Sequence, residues 1–381
     1  MPPATSPPAE HAVPTSAERD ALRRRCTLVV PGHPVQEPGA ELAAIGAWCT
    51  AHGWRADLYG SGPLIDTFEQ KLASLLGKEA AVFMPSGTMA QQIALRIWCD
   101  RAGVPHFAMH GTAHPELHEQ RAYAHLHGLH ATLLGDAARP TSAADLDACA
   151  ERLAALLLEL PAREIGGQLP SWEGLVELAE RARARNVRLH MDGARLWEAR
   201  EAYAPHTYAE ICAHFDSVYV SFYKGIGALS GAMLAGPSDF VQEARVWRHR
   251  HGGTLVQLHP AVASAAMRFD AALARMPAYR ARAFALADGL ARIPGCVIRP
   301  VAPQVNLFHL HLAADAAALD LARDRIAREA GLWLANRFVA LPTPGMAVTE
   351  LYVGENLLDA DDAIVLPAFA RLLEYARTSA R

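Results

Sequence analysis

Residues 187–199 read VRLHMDGARLWEA, and residues 217–236 read SVYVSFYKGIGALSGAMLAG. In each stretch a short apolar run gives way to a turn that carries a charged residue, Asp192 in the first and Lys224 in the second. Apolar runs with little polar alternation are typical of strands whose two faces are covered by helices. Polar residues at the carboxyl ends of such strands line the ligand crevice of an α/β sheet. The first stretch therefore predicts an α/β domain with Asp192 at its crevice.

The same alternation of strands and helices extends to about residue 255, which favours a mostly parallel sheet flanked by helices. Strands are predicted at 80–84, 106–109, 156–160, 187–191, 217–221 and 232–235, with helices at 64–76, 88–101, 143–155, 172–185 and 194–203.

Beyond residue 255 a long helix is predicted at 260–292, followed by a small α+β domain. That domain has predicted strands at 297–299, 305–312 and 348–353 and helices at 316–329 and 361–378. The predicted organisation is a flexible arm over residues 1–25, a large domain over 26–275 and a small domain over 276–381. The arm is predicted because the first 20 residues are rich in Pro, Ala, Ser and Thr and lack the apolar centre of a signal peptide.

The composition gives no sign of a nucleic-acid-binding or membrane-spanning protein. The 381 residues carry a formal charge of −4 and no long basic run, so nothing points to a nucleic-acid partner. No apolar stretch reaches the roughly 18 residues that a membrane span needs. The six cysteines are scattered without a CxxC pair, which favours a reduced, cytoplasmic protein.

Lysine is rare in this chain. Of the 36 basic residues only Lys71, Lys78 and Lys224 are lysines. Where arginine stands almost everywhere else, a lysine indicates chemistry that arginine cannot do, and only an amine forms an imine because guanidinium stays protonated. The glycines that follow Lys224 let a flat ring approach the backbone closely. The alternative, a surface lysine in a loop, is less favoured here because the other two lie on or beside an amphipathic helix.

Two further motifs suit the binding of a charged ring. A carboxylate at Asp192 can hold a pyridinium nitrogen protonated and make the ring an electron sink, although Asp is equally favoured as a helix N-cap. Arg195 either faces the same crevice or forms a surface ion pair. The turn Ser86-Gly87-Thr88 follows another predicted strand, and free N–H groups at a helix start suit a phosphate. Turns of this composition are common, so this motif is weak evidence by itself.

Seven histidines lie between residues 106 and 130. His110, His114 and His118 are four residues apart, but Pro115 interrupts the helical pattern and no cysteine or acidic cluster completes a ligand set. No metal site is therefore predicted. His114, which follows a strand and a short loop, is the best placed to stack on an aromatic ring. Farther along, Arg248 either approaches a phosphate or ends a solvated helix.

Together these segments resemble the low-specificity threonine aldolase and β-eliminating lyase group of fold type I enzymes that depend on pyridoxal 5′-phosphate (PLP). The resemblance covers roughly residues 55–275. The matching motifs, in order, are Asp57-Leu58-Tyr59-Gly60, Ser86-Gly87-Thr88-Met89, His114, His190-Met191-Asp192-Gly193-Ala194-Arg195, Lys224-Gly225-Ile226-Gly227 and Gly252-Gly253.

The resemblance implies PLP as the cofactor, held by Lys224 as a Schiff base and paired with Asp192 at the pyridine nitrogen. It implies that the Ser86-Gly87-Thr88 turn holds the phosphate and that His114 stacks on the ring. Arg195 would lie near the ring hydroxyl or the substrate carboxylate. A homo-oligomer, dimer or tetramer, with active sites at the subunit interface is also implied.

The substrate side departs from the family pattern. Glu159 is followed by Leu160-Pro161-Ala162-Arg163, so the second active-site histidine of the family is missing, and Arg163 or Glu164 is left to take up its space. Near the position of the arginine that binds the substrate carboxylate in the family, this chain has Glu350.

Three substrate contacts are predicted on this basis. They are Tyr59 and Arg195 from the matching motifs, and Arg337 as a substitute for the missing carboxylate arginine. The predicted reaction is aldol cleavage of an amino acid such as threonine, allo-threonine or phenylserine, with His114 or an ordered water moving the proton. The alternatives are β-elimination, transamination or racemisation on the same fold, or a PLP-fold binding protein without catalysis.

Overall fold

The computed structural model describes residues 14–379, in which helices alternate with strands. The helices are α1 (Ser16–Arg25), α2 (Pro38–Ala51), α3 (Pro63–Leu75), α4 (Gly87–Ala102), α5 (His114–Leu117), α6 (Ala122–His127), α7 (Ala143–Ala148), α8 (Trp172–Ala184), α9 (Leu196–Ala199), α10 (Tyr208–Cys212), α11 (Ser238–Arg250), α12 (His259–Ala291), α13 (Ala316–Ala330) and α14 (Asp362–Ser379). The strands are β1 (Leu28–Val29), β2 (Ala80–Met84), β3 (His106–His110), β4 (His130–Leu134), β5 (Ala155–Glu159), β6 (Arg188–Gly193), β7 (Ser217–Ser221), β8 (Ala232–Gly236), β9 (Cys296–Arg299), β10 (Leu307–Leu312), β11 (Leu332–Trp333), β12 (Val339–Ala340) and β13 (Ala347–Tyr352).

The described residues form two compact units. The large unit comprises Val35–Phe284 and Arg299–Phe308. The small unit comprises the described residues up to Pro34, then Ala285–Ile298 and the residues from His309 onward. The residues that carry the predicted cofactor site all belong to the large unit.

The N-terminal segment differs from the predicted flexible arm. Residues 1–13 lie outside the described residues, but α1 begins at Ser16 because Thr15 and Glu18 form a capping box. Arg19 then donates a hydrogen bond to Asp324 of α13 at 2.9 Å. The next residues pair with the small unit too, since β1 runs parallel to β11. The segment 26–34, predicted as part of the large domain, is therefore built into the small unit.

The large unit contains a sheet whose seven strands, all within the described residues, follow the order β2-β8-β7-β6-β5-β3-β4. Strand β8 is antiparallel to both of its neighbours, and the other neighbouring pairs are parallel. Strands β2 and β7 consequently run the same way, which brings the carboxyl ends of β2, β7, β6, β5 and β3 to one edge. Every residue of β7 and β8 is buried. The predicted mostly parallel α/β sheet is confirmed.

Several elements differ from the prediction for local reasons. The helix predicted at 143–155 ends at Ala148, because the chain turns to an extended conformation at Cys149 before β5. The helix predicted at 194–203 is divided into the short α9 and a 3-10 helix, Arg200–Tyr203. Strand β4 was missed because it lies at the edge of the sheet and only one of its five residues is buried. Helix α2 was missed because Ile45 is its one buried residue, so it lacks an apolar stripe.

The small unit contains the short β1–β11 pair and most of a second sheet, whose order is β12-β13-β10-β9. Strands β12 and β13 pair in the antiparallel sense, and α13 packs against α14. This matches the predicted small α+β domain. Across residues 14–379, no helix combines the length and the apolar character that a membrane crossing demands.

Candidate active site

The residues predicted from the motifs lie at or just beyond the carboxyl ends of the strands, along one edge of the large sheet. Strand β6 carries Asp192 near its carboxyl end, and β5 ends at Glu159. Strand β7 ends three residues before Lys224, β2 leads to Ser86, and β3 leads through a short loop to His114. Residues from five parallel strands therefore meet where ligands bind in α/β sheets.

The three lysines occupy different environments. Lys71 forms an ion pair with Asp270, with 2.6 Å between Nζ and Oδ1. Lys78 donates from Nζ to two backbone carbonyls, at 2.5 and 2.8 Å. Lys224 alone among them has no hydrogen bond or ion pair to any residue within 14–379, although it is largely buried. Two lysines are thus structural, and the amine of the third is available for chemistry.

The groups around Lys224 have opposite effects on the pKa of its amine. Burial lowers the pKa of the Lys224 amine, the Arg195 guanidinium lowers it further, and the carboxylates of Asp192 and Glu159 oppose this. Burial likewise raises the pKa of Asp192. It raises the pKa of Glu159 to about 8, with the charge of Asp192 as the second cause. These two carboxyl groups are cross-strand neighbours in β5 and β6. Such mutually perturbed titratable groups at a crevice are typical of functional sites.

Asp192 is held in one orientation by the turn that follows it. Its side chain is buried, and Oδ1 accepts a hydrogen bond from the N–H of Ala194 at 3.1 Å. The alternative function as a helix N-cap is wrong, because α9 begins at Leu196 and Arg195 occupies the N-cap position. The carboxylate is therefore fixed at the carboxyl end of β6, and its charge raises the pKa of Lys224.

The Ser86-Gly87-Thr88 turn starts helix α4. Ser86 is its N-cap, and the Ser86 hydroxyl accepts a hydrogen bond from the N–H of Met89 at 3.3 Å. The first N–H groups of a helix have no partner within it, and together with the helix dipole they attract anions. Gly87 is buried, whereas Thr88 is exposed. The geometry of the turn thus suits a phosphate.

Gly87 is required by a close approach from β7. A Cβ atom at this position would lie 2.6 Å from Cζ of Tyr219, closer than real Cβ contacts. Tyr219 is also the cross-strand neighbour of Asp192. This tyrosine therefore fixes the start of α4 relative to the buried carboxylate, a contact that the sequence did not predict.

Gly87→Ala is expected to destabilise the protein by about 1–3 kcal/mol, as overpacked cores generally do, and to weaken cofactor binding. The matched control is Gly46→Ala in α2, where an added Cβ meets nothing within 4 Å. That control is expected to be neutral or to stabilise by roughly 0.5–1 kcal/mol. Denaturant unfolding and a cofactor titration of both variants measure the effects, and equal stability of the two would contradict the packing account.

His114 is part of a chain of hydrogen bonds that the sequence did not reveal. Its Nδ1 lies 2.9 Å from Oε1 of Glu119, and Oε2 of Glu119 accepts a hydrogen bond from Gln92 of α4 at 2.7 Å. Because an ionised carboxylate only accepts, the proton of the neutral ring lies on Nδ1 and the lone pair on Nε2. The spacing of His114 and Glu119 was a usable signal, whereas Gln92 lies too far away in sequence to be linked to them.

The other two regularly spaced histidines have partners of their own. His110 is bonded to Thr112 and to the carbonyl of Asp136, and Nε2 of His118 lies 2.9 Å from Oε1 of Glu164. Within residues 14–379, no three His, Cys, Asp or Glu side chains are grouped to hold a metal ion.

The predicted substrate contacts are only partly brought together. The guanidinium of Arg195 lies close enough to Lys224 to lower the pKa of its amine. Tyr59 is exposed and its N–H donates to the carbonyl of Val256 at 3.0 Å, but no contact within the described residues joins its side chain to Lys224. Arg337 is an exposed residue of the small unit, so its function remains a prediction.

Arg248 is not the solvated helix end that one interpretation predicted. Its side chain is buried, and Nη1 donates to the carbonyl of Phe83 at 2.8 Å. It also packs against Gly60, where a Cβ would lie 2.7 Å from Nη2. Arg248 thus ties the turn at Gly60 to the end of β2, just before the Ser86 turn.

Comparison with known proteins agrees with this arrangement. The model of the family described as "Beta-eliminating lyase" matches residues 54–313. Low-specificity L-threonine aldolase 1 of Arabidopsis thaliana is 28% identical over 268 residues, which are 67% of this chain and 74% of that protein. The low-specificity L-threonine aldolase of Escherichia coli K12 is 34% identical over 209 residues, 53% of this chain and 61% of its own length.

Solved structures extend the similarity to the whole fold. A candidate L-allo-threonine aldolase from Listeria monocytogenes has a TM-score of 0.87 and 36% identity, covering 93% of this chain and 98% of its own. A serine palmitoyltransferase from Sphingomonas wittichii, at 18% identity and a TM-score of 0.67, shares the fold alone over 90% of this chain and 84% of its own.

Proposed function

Because the chain belongs to the beta-eliminating lyase family, we propose that it is a PLP-dependent lyase that cleaves a β-hydroxy-α-amino acid into glycine and an aldehyde. Threonine, allo-threonine and phenylserine are the substrate class. The observation that carries the proposal is Lys224, a largely buried amine of lowered pKa, beside Asp192 and Arg195. It has no hydrogen bond or ion pair within the described residues. The names of its relatives, threonine aldolases, support the reaction.

The residues at the sheet edge fit PLP. Lys224 offers an amine whose lowered pKa increases the unprotonated fraction, the form that attacks a carbonyl. The start of α4 offers N–H groups and hydroxyls for a phosphate, from Ser86 to Thr88. Asp192 offers a buried carboxylate for a ring nitrogen. When bound, PLP supplies an electron sink for negative charge that develops at Cα of the substrate.

The protein's own groups would orient the substrate around that cofactor. Asp192 would keep the ring nitrogen protonated, and His114, fixed by Glu119, would cover the ring face. Arg195 would hold either the ring hydroxyl or the substrate carboxylate. Which of the two it binds decides how the Cα–Cβ bond is aligned for cleavage.

A product assay tests the reaction. The PLP-loaded protein is incubated with L-threonine, L-allo-threonine or phenylserine, and glycine and aldehyde are expected in equal amounts. Ammonia and a keto acid would instead favour β-elimination. A visible cofactor band that no amino acid changes would favour a binding protein. The absence of any such band, even after PLP is added, would contradict the cofactor assignment.

The expected assembly is a homo-oligomer, dimer or tetramer, with active sites at the subunit interface, and the expected location is the cytoplasm. Both proposals rest on the sequence: the first on the family resemblance, the second on the scattered cysteines.

A further inference from the structure

A second pair of titratable side chains lies beside His114, and the proposed reaction so far gives it no part. Nε2 of His118 lies 2.9 Å from Oε1 of Glu164. The rings of His118 and His114 have their centroids 5.2 Å apart. His118 is therefore a direct neighbour of His114, the residue expected to cover the cofactor.

A chain of contacts through Arg163 joins the same pair to the sheet edge. Nη1 of Arg163 donates to Oε1 of Glu164 at 3.0 Å, and the N–H of Arg163 donates to Oε1 of Glu159 at 3.1 Å. Glu159 is the cross-strand neighbour of Asp192. His118 is thus connected to the candidate site from two independent sides, through His114 and through Glu164.

The geometry also fixes which nitrogen of His118 can accept a proton. An ionised Glu164 only accepts hydrogen bonds, so the ring proton lies on Nε2 and the lone pair on Nδ1. No residue within 14–379 bonds to that Nδ1, and the His118 side chain is 33% exposed. Nδ1 of His118 is therefore the nitrogen that is free to take up a proton.

We propose that His118 is the base that removes the β-hydroxyl proton of the substrate and that Glu164 holds its ring for this step. The proposal rests on the proposed function. The O–H bond breaks and its proton moves to Nδ1 of His118, while its electron pair forms the second C–O bond of the aldehyde. The Cα–Cβ bond breaks, and its electron pair stays on Cα, which takes up a proton to give glycine.

The other titratable groups near the site are less suited to accept this proton. Burial and the charge of Asp192 raise the pKa of Glu159 to about 8, which disfavours its ionised form. Asp192 is buried and is committed to the ring nitrogen in the proposed function. His114 is held in the same way, through Nδ1 and Glu119, but in the proposed function its ring is stacked on the cofactor. His118 is held through Nε2 and has no other part in the proposed function.

The test separates the two half-reactions that the site can catalyse. Aldol cleavage of L-allo-threonine needs a base for the β-hydroxyl, whereas exchange of the α-proton of glycine in D₂O does not. His118→Asn in the PLP-loaded protein is expected to lower kcat for cleavage by roughly 10²–10⁴-fold, the usual contribution of a general base. Glycine exchange, followed by proton NMR, is expected to stay within about threefold. Glycine binding, followed by visible absorbance, is expected to be unchanged.

His125→Asn is the matched control, because His125 is an exposed residue of α6 that makes no contact with the site within residues 14–379. It is expected to leave both reactions unchanged. Glu164→Gln keeps an acceptor oxygen but loses the charge, so a smaller loss of cleavage with intact exchange is expected. Equal losses of cleavage and exchange in His118→Asn would overturn the proposal, as would undiminished cleavage. A wild-type protein that exchanges glycine but cleaves no β-hydroxy amino acid would instead refute the proposed function itself.

Discussion

Lys224→Arg is expected to abolish the visible absorbance of the bound cofactor and to lower cleavage of L-allo-threonine by on the order of 10³-fold or more, as removal of a covalent catalytic group does. Arginine keeps the positive charge beside Asp192 and Glu159, so the electrostatic balance of the pocket is largely preserved. What it loses is the neutral amine, because a guanidinium stays protonated and forms no imine. Absorbance spectra and an aldehyde assay of the two proteins measure the difference.

Lys71→Arg is the matched control for this substitution. Lys71 forms a partly exposed ion pair with Asp270, which a guanidinium can also make. The control is therefore expected to keep the absorbance band and the activity. Should Lys224→Arg keep both as well, Lys224 would not be the residue that binds the cofactor, and the proposed function would lose its main support.

The sequence was sufficient to locate the strands that build the site. Strands β2 and β7 begin and end where they were predicted, because continuous apolar runs bounded by turns mark buried strands clearly. The order of motifs then brought Asp192, Lys224 and the Ser86 turn to one region, since parallel strands share an edge. The rarity of lysine then pointed to Lys224 as the imine-forming residue, which no strand pattern could indicate.

Other parts of the site depend on contacts between distant segments, and local patterns carry no record of them. Gln92 meets Glu119 only because α4 lies near the loop after β3. The need for glycine at position 87 follows from the ring of Tyr219 behind it. A solvated helix end stayed one of two interpretations of Arg248, because burial of a charged residue is a tertiary property. Each of these became visible only once the sheet order was known.

Asp192→Asn is expected to keep the cofactor band but to lower the rate of aldol cleavage by on the order of 10²–10³-fold, the usual effect of removing one preorganised charge. Asparagine is nearly isosteric and its Oδ1 can still accept the hydrogen bond from Ala194, so the turn after β6 is preserved. The loss is that of the negative charge, without which a pyridine nitrogen is no longer held protonated. The measurements are kcat for cleavage and the absorbance spectrum.

The result also bears on the neighbouring carboxyl group. The charge of Asp192 is the second cause of the raised pKa of Glu159, so the pKa of Glu159 is expected to fall in the variant. Asp147→Asn, which breaks a surface ion pair with Arg181, is the matched control and should leave the rate unchanged. A loss of the cofactor band in Asp192→Asn would mean that Asp192 is needed for binding. A rate within about threefold of wild type, far short of the loss of a preorganised charge, would mean that another group keeps the ring nitrogen protonated. Glu159, the cross-strand neighbour of Asp192, would then be the first candidate.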